Sequence, residues 1–104
     1  MKYIAVFITT GSEREAVRIA RGLVKEKLAA CVSIVRPVRS VYRWKGRIED
    51  SRECLLIAKT KQGLFCALEG SVKRMHSYEC PEIIAIPVNS GSKSYLRWIS
   101  DSTG

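Results

Sequence analysis

A single histidine, His76, is all the imidazole that 104 residues offer. Nothing in the sequence sets a serine or cysteine nucleophile beside it, so no hydrolytic constellation can be assembled and the chain reads as non-catalytic. The four cysteines, Cys31, Cys54, Cys66 and Cys80, include no C-x-x-C pair and lack the density of a secreted miniprotein. They are expected to be free thiols, most of them in the core, because free cysteine packs as a small hydrophobe. Long hydrophobic runs are also missing. The opening one, Tyr3 to Ile8, is far shorter than a membrane span, and no signal-peptide pattern precedes it. The expected compartment is the cytoplasm, with no membrane partner. Repeats, low-complexity tracts and linkers are absent too, which leaves one domain, 1–104, with a modest core of the kind often completed by neighbouring subunits.

Acidic residues are few. Eighteen Lys and Arg against ten Asp and Glu give a formal net charge of +8, a balance that raises the question of a polyanionic partner. The distribution argues against nucleic acid. Arg14, Arg18 and Arg21 recur at helical spacing, as on a solvated helix face. Arg36, Arg39, Arg43, Lys45 and Arg47 are scattered along one strand and turn, where they either discourage edge-to-edge aggregation or receive an anion.

What is present is a clear alternation of elements. Tyr3 to Ile8 is a continuous β-rich apolar run, as expected of a central strand buried on both faces. Ser12 with Glu15 forms a capping box, and Ala16, Ile19, Ala20, Leu23 and Val24 carry a helix to about Lys27. Cys31 to Lys45 and Glu53 to Thr60 read as the arms of a long hairpin. Leu64, Phe65, Leu68, Val72 and Met75 mark a second helix ending near His76, in which Gly70 suggests a close contact. Glu82 to Pro87 is a short strand, and Tyr95, Leu96, Trp98 and Ile99 belong to a short last helix. This order predicts an α+β, ferredoxin-like βαββαβ sandwich with a long central hairpin and a short C-terminal helix. Two long helices cover one sheet face, so the apolar second face calls for further chains.

The hairpin carries the strongest signal of assembly. An arm from Cys31 to Lys45 spans roughly 50 Å at strand rise, against a diameter of roughly 35 Å for a globule of this size. It must bend, protrude or pair with another chain. Pro37 lacks a backbone donor and favours a bend or bulge on the way. Tyr42 and Trp44, two apart on one face, still stand near an uncovered end.

Candidate chemistry is sparse. The loop Thr9-Thr10-Gly11-Ser12 has no thiol, which excludes a copper-chaperone version of the fold. Tyr3 and Phe7 lie in one strand without the Gly-aromatic pattern of an RNA-recognition sheet. The segment His76-Ser-Tyr-Glu-Cys-Pro-Glu82 gathers imidazole, thiol and carboxylates, donors suited to copper or zinc. A histidine at a helix C-terminus also has a plain dipolar reason to be there. Lys59 and Glu82 sit at strand margins, either solvated or poised at a cleft, and Tyr95 and Trp98 are interface or core anchors.

Five motifs in order resemble the CutA family of divalent-cation-tolerance proteins: Ala29-Ala30-Cys31-Val32, Tyr42-x-Trp44-x-Gly46-x-Ile48-Glu49, Lys59-Thr60, His76-x-Tyr78-x-x-Pro81-Glu82-Ile83 and Tyr95-Leu96-x-Trp98. The resemblance implies a fold similar to the PII signalling proteins, assembled as a homotrimer in which hairpin strands join the neighbour's sheet. It implies tolerance of copper or another divalent cation as the role, with His76 as the metal ligand that carries over. Ile8 and Met75 occupy the other positions at which copper ligands are proposed in some members. The alternative that the PII likeness implies is a small anionic metabolite held in clefts between subunits, lined by Tyr42, Trp44, Lys59, Glu82 and Trp98.

Overall fold

The computed structural model describes residues 2–104. Strand β1 (Tyr3–Thr10) leads into helix α1 (Glu13–Lys25), then β2 (Cys31–Trp44), β3 (Arg47–Lys61), a single 3-10 turn at Gln62–Leu64, helix α2 (Phe65–Met75), β4 (Ile83–Val88) and helix α3 (Lys93–Asp101). The sheet order is β2-β3-β1-β4, antiparallel throughout. This is the ferredoxin-like topology expected from the element order.

Side-chain alternation along β1 and β3 sorts the core. Ile4, Val6 and Ile8 point with Leu56 and Ala58 toward the helices and are buried against Ala16, Ile19 and Leu23 of α1 and Leu68 and Val72 of α2. Burying each such side chain contributes about 1.5–3 kcal/mol, which is what holds two amphipathic helices on one face. The opposite face is different. Tyr3, Ala5 and Phe7 are only half-buried, so β1 is sealed on one face and not on both. Around them Ile84, Ile86 and Val35 are exposed. Only one end of this face is covered: Ile99 of α3 is buried, Tyr3 Oη and Ser100 Oγ share a hydrogen bond of 2.6 Å, and Lys61 Nζ donates to Thr103 O.

The hairpin is longer and more regular than its apolar residues suggest. β3 begins at Arg47, not at Glu53, and pairs down to Trp44↔Arg47. The residues Arg47–Arg52 are too charged to read as a strand, yet cross-strand pairing suffices to order them. The turn is Lys45-Gly46, both at positive φ (51° and 79°), as a tight two-residue hairpin turn requires. The register slips between Val35 and Val38, around the cis Arg36–Pro37 peptide, so Pro37 does mark a bulge. Overall dimensions of 44 × 25 × 22 Å show that the arm protrudes. Its arginines are partly paired along the edge: Arg36 with Glu13 at 2.8 Å and Arg39 with Asp50 in a two-point bridge of 2.9 and 2.7 Å.

Two local expectations fail. Only Cys54 is buried; Cys31 is half-exposed, and Cys66 and Cys80 are exposed, because they fall on the solvent side of α2 and in the loop before β4. Gly70 allows no close approach, since an added Cβ would meet only Arg74 Nη1 at an ordinary 3.5 Å. Among the described residues no helix is long and apolar enough to cross a membrane.

Candidate functional site: an acidic, aromatic groove beside the hairpin

The site begins where α2 ends. His76 closes the helix, its backbone N–H donating to Val72 O at 2.8 Å, and then turns the chain extended (φ −87°, ψ 141°). Its side chain is fully buried. Nε2 lies 2.7 Å from Thr9 O, which can only accept, so Nε2 carries the proton. Nδ1 is thereby an acceptor and takes the Tyr78 backbone N–H at 3.0 Å. Both ring nitrogens are engaged, and a metal bound there would have to displace one of these partners. Among the described residues no group of three or more His, Cys, Asp or Glu side chains converges as a metal cage.

Glu15 ties the same loop to α1. The capping box is half formed: Ser12 Oγ accepts the Glu15 backbone N–H at 3.2 Å, while the Glu15 carboxylate turns to the loop and accepts Ser77 N–H at 2.7 Å. It stands 3.9 Å from His76 Nδ1. Burial pushes the Glu15 carboxyl up, but the Ser77 backbone and side chain, His76 and the Gly11 amide together outweigh it, and the group ionises below its usual range.

Tyr78 then reaches across to the hairpin, its hydroxyl donating to Glu53 Oε2 at 2.7 Å. Its ring packs against His76 at a 4.7 Å centroid distance, tilted by 52°, and lies so close to Gly11 that an added Cβ there would sit 3.0 Å from Tyr78 Oη. Burial, then the Glu53 hydrogen bond and charge, push the Tyr78 phenol far up, so it stays a donor. Burial and the neighbouring Glu53 also push the Glu82 carboxyl up.

These residues wall a groove of about 710 Å³ between the hairpin and the 77–82 loop. Tyr42, Trp44 and Tyr78 supply its aromatic surface, Glu53, Glu79 and Glu82 its carboxylates, and Cys80 a thiol. Among the described residues no arginine or lysine lines it, in a chain of net charge +8. A smaller concavity of about 390 Å³ on the outer hairpin centres on the Arg39–Asp50 bridge.

Of the residues singled out from sequence, Tyr42, Trp44 and Glu82 meet in this groove and His76 anchors its floor from behind. Lys59 and Trp98 are elsewhere in the chain. Lys59 Nζ donates to Ser33 Oγ at 2.8 Å on the half-open sheet face, and Trp98 packs beside Tyr95 on α3, ring centroids 5.4 Å apart. Sequence reasoning passed over Glu53, taking it as the first residue of an apolar strand. Its signal was the one that flagged Lys59 and Glu82: a charge at the margin of an apolar run.

Comparison with known proteins adds the following. The family model described as CutA1 divalent ion tolerance protein matches residues 4–102. The divalent-cation tolerance protein CutA of Thermus thermophilus is 46% identical over 99 residues, covering 95% of this chain and 96% of the relative. A chloroplastic CutA of Oryza sativa is 43% identical over 96% of this chain, which spans 56% of that longer protein. The solved Thermus thermophilus protein superposes with a TM-score of 0.96 at 44% identity, covering 98% of this chain and 99% of that one. A solved CutA from Archaeoglobus fulgidus, described as periplasmic, gives 0.93 at 43% identity over 96% and 97% of the two chains.

Proposed function

The chain belongs to the CutA1 divalent ion tolerance family, and on that footing we propose that it serves divalent-cation tolerance as a non-catalytic, cation-binding homotrimer whose ligand site is the groove between the hairpin and the 77–82 loop. The observation that carries this reading is the sign of the groove: Glu53, Glu79 and Glu82 face it, and Lys45 at its rim pairs with Glu79 alone, leaving Glu53 and Glu82 without an ion pair among the described residues. Oxygen donors of this kind attract a divalent ion that keeps part of its water shell. The same carboxylates oppose the alternative of an anionic metabolite at this place.

His76 takes a structural role in this reading, because both of its nitrogens hold the loop that bears Tyr78 and Glu82. One protomer supplies too few ligands to enclose an ion, so water or a neighbouring subunit completes the shell. Assembly is supported by the protruding hairpin and by the exposed Val35, Ile84 and Ile86 on the uncovered face. Four unpaired thiols suit a reducing compartment, and the reading keeps the cytoplasm.

Calorimetric titration with copper(II) and with magnesium tests the site. The wild type and His76→Gln are expected to bind, and the Glu53→Gln, Glu82→Gln double variant to lose binding. Binding lost only with His76 moves the site to the imidazole. No binding in any form overturns the reading.

A further inference from the structure

Size and chemistry of the groove go further than a metal ion. A volume of about 710 Å³ falls in the range of small-molecule sites, well above what a coordinated ion fills. Three aromatic rings, Tyr42, Trp44 and Tyr78, form part of its wall, and a hydrated ion makes no use of them. Glu53 is 7% exposed and has no ion-pair partner within 4.0 Å among the described residues. Its side-chain partner among the described residues is the neutral Tyr78 hydroxyl. A carboxylate this buried without a cation is costly, and the deficit is relieved by a ligand that brings positive charge.

The protein shows the preferred chemistry at the mouth of the groove. Lys45 at the hairpin turn holds its ammonium 5.7 Å from the centroid of the Trp44 ring and 3.7 Å from Glu79 Oε1. Trp44 and Glu79 both line the groove. An alkylammonium over an indole face, with a carboxylate beside it, is a favourable cation–π arrangement. Lys45 satisfies it at the rim only. Glu53, which is buried, and Glu82, which is exposed, have no such partner among the described residues.

We propose that the groove binds a small organic cation carrying primary ammonium groups, a linear diamine being the simplest that pairs one end with Glu53 and Glu82 while its methylenes lie along Tyr42 and Trp44. The inference rests on the reading of the groove as the ligand site and extends it in ligand class. Trp44 and Trp98 are the only two tryptophans, and Trp98 is not among the groove residues, so Trp98→Phe leaves Trp44 as the sole indole reporter.

The test is a fluorescence titration of the Trp98→Phe protein with 1,5-diaminopentane, with 1,5-pentanediol as neutral control and copper(II) and magnesium run in parallel. Saturable binding of the diamine, absent for the diol and weakened about tenfold or more by Glu53→Gln, is expected. Gln keeps an acceptor for the Tyr78 hydroxyl, and far-ultraviolet dichroism of the variant checks that it folds. Equal binding of diol and diamine, or a diamine affinity unchanged in Glu53→Gln, overturns the inference. Metal binding without diamine binding overturns it and leaves the proposed function standing. Diamine binding seen only as an oligomer dissociates assigns the ammonium to a lysine or arginine of a second copy and overturns the free-ligand form.

Discussion

The Tyr78 hydroxyl donates to Glu53 Oε2 at 2.7 Å, a bond that joins the loop after α2 to the hairpin strand β3 across 25 residues of sequence. Among the described residues it is the side-chain hydrogen bond that pins the loop to the buried carboxylate of the groove, and it fixes where that carboxylate points. Removing it leaves Glu53 with no partner in a site where water reaches poorly. Tyr78→Phe is expected to lower unfolding free energy by about 1.5–3 kcal/mol, the range for a hydrogen bond to a charged group. Urea titration measures this. Pairing it with Glu53→Ala, which removes the acceptor, in a double-mutant cycle separates the bond from general packing, and additive losses would contradict a direct coupling.

His76 is held by Thr9 O and by the Tyr78 N–H, and its ring fills buried space. His76→Ala is therefore expected to cost roughly 2–4 kcal/mol from the cavity and the two lost bonds. The distinguishing measurement is the nitrogen spectrum of the imidazole in the wild type: the Nε2–H tautomer is expected at neutral pH. The Nδ1–H tautomer would contradict the bonding described, because Nδ1 accepts from Tyr78.

Glu15 gives the acid side of stability. Its carboxyl ionises below its ordinary value of 4.5 in the folded chain, so its contribution is fully present above that value and is lost as pH falls through the folded pKa. Glu15→Gln is expected to flatten the acid limb of a stability-against-pH curve while changing little of its slope elsewhere. An unaltered acid limb would show that the Ser77 and His76 contacts do not stabilise the ionised form.

Glu82 has the opposite sign. Burial and Glu53 raise its pKa above 4.5, so the ionised group opposes folding above its folded pKa, and that opposition is relieved as pH falls. Glu82→Gln is expected to raise the midpoint of thermal unfolding at neutral pH, with the gain disappearing in acid. A variant that is less stable at neutral pH would mean that the carboxylate is paired in the assembled protein.

The fold was legible because its pattern is local. The apolar run Tyr3–Ile8, the spacing of Ala16, Ile19, Ala20 and Leu23, and the order of elements place the strands and helices, although the run reads as buried on both faces and is sealed on one. The first six residues of β3 escaped notice since Arg47–Arg52 are ordered by pairing with β2 and not by burial. The groove was half legible. Tyr42, Trp44 and Glu82 could be singled out as residues standing at exposed or marginal positions, but Glu53 and Tyr78 meet only through tertiary contact. Cys66 and Cys80 show the limit of composition: a thiol is usually buried, and nothing local says that these two are not.

The most direct test of the account is native mass spectrometry of the purified protein, with and without copper(II), beside the Glu53→Gln, Glu82→Gln double variant. The account predicts a trimer that gains metal in the wild type and stays metal-free in the double variant. A monomer, or a trimer that takes up no metal, would contradict it.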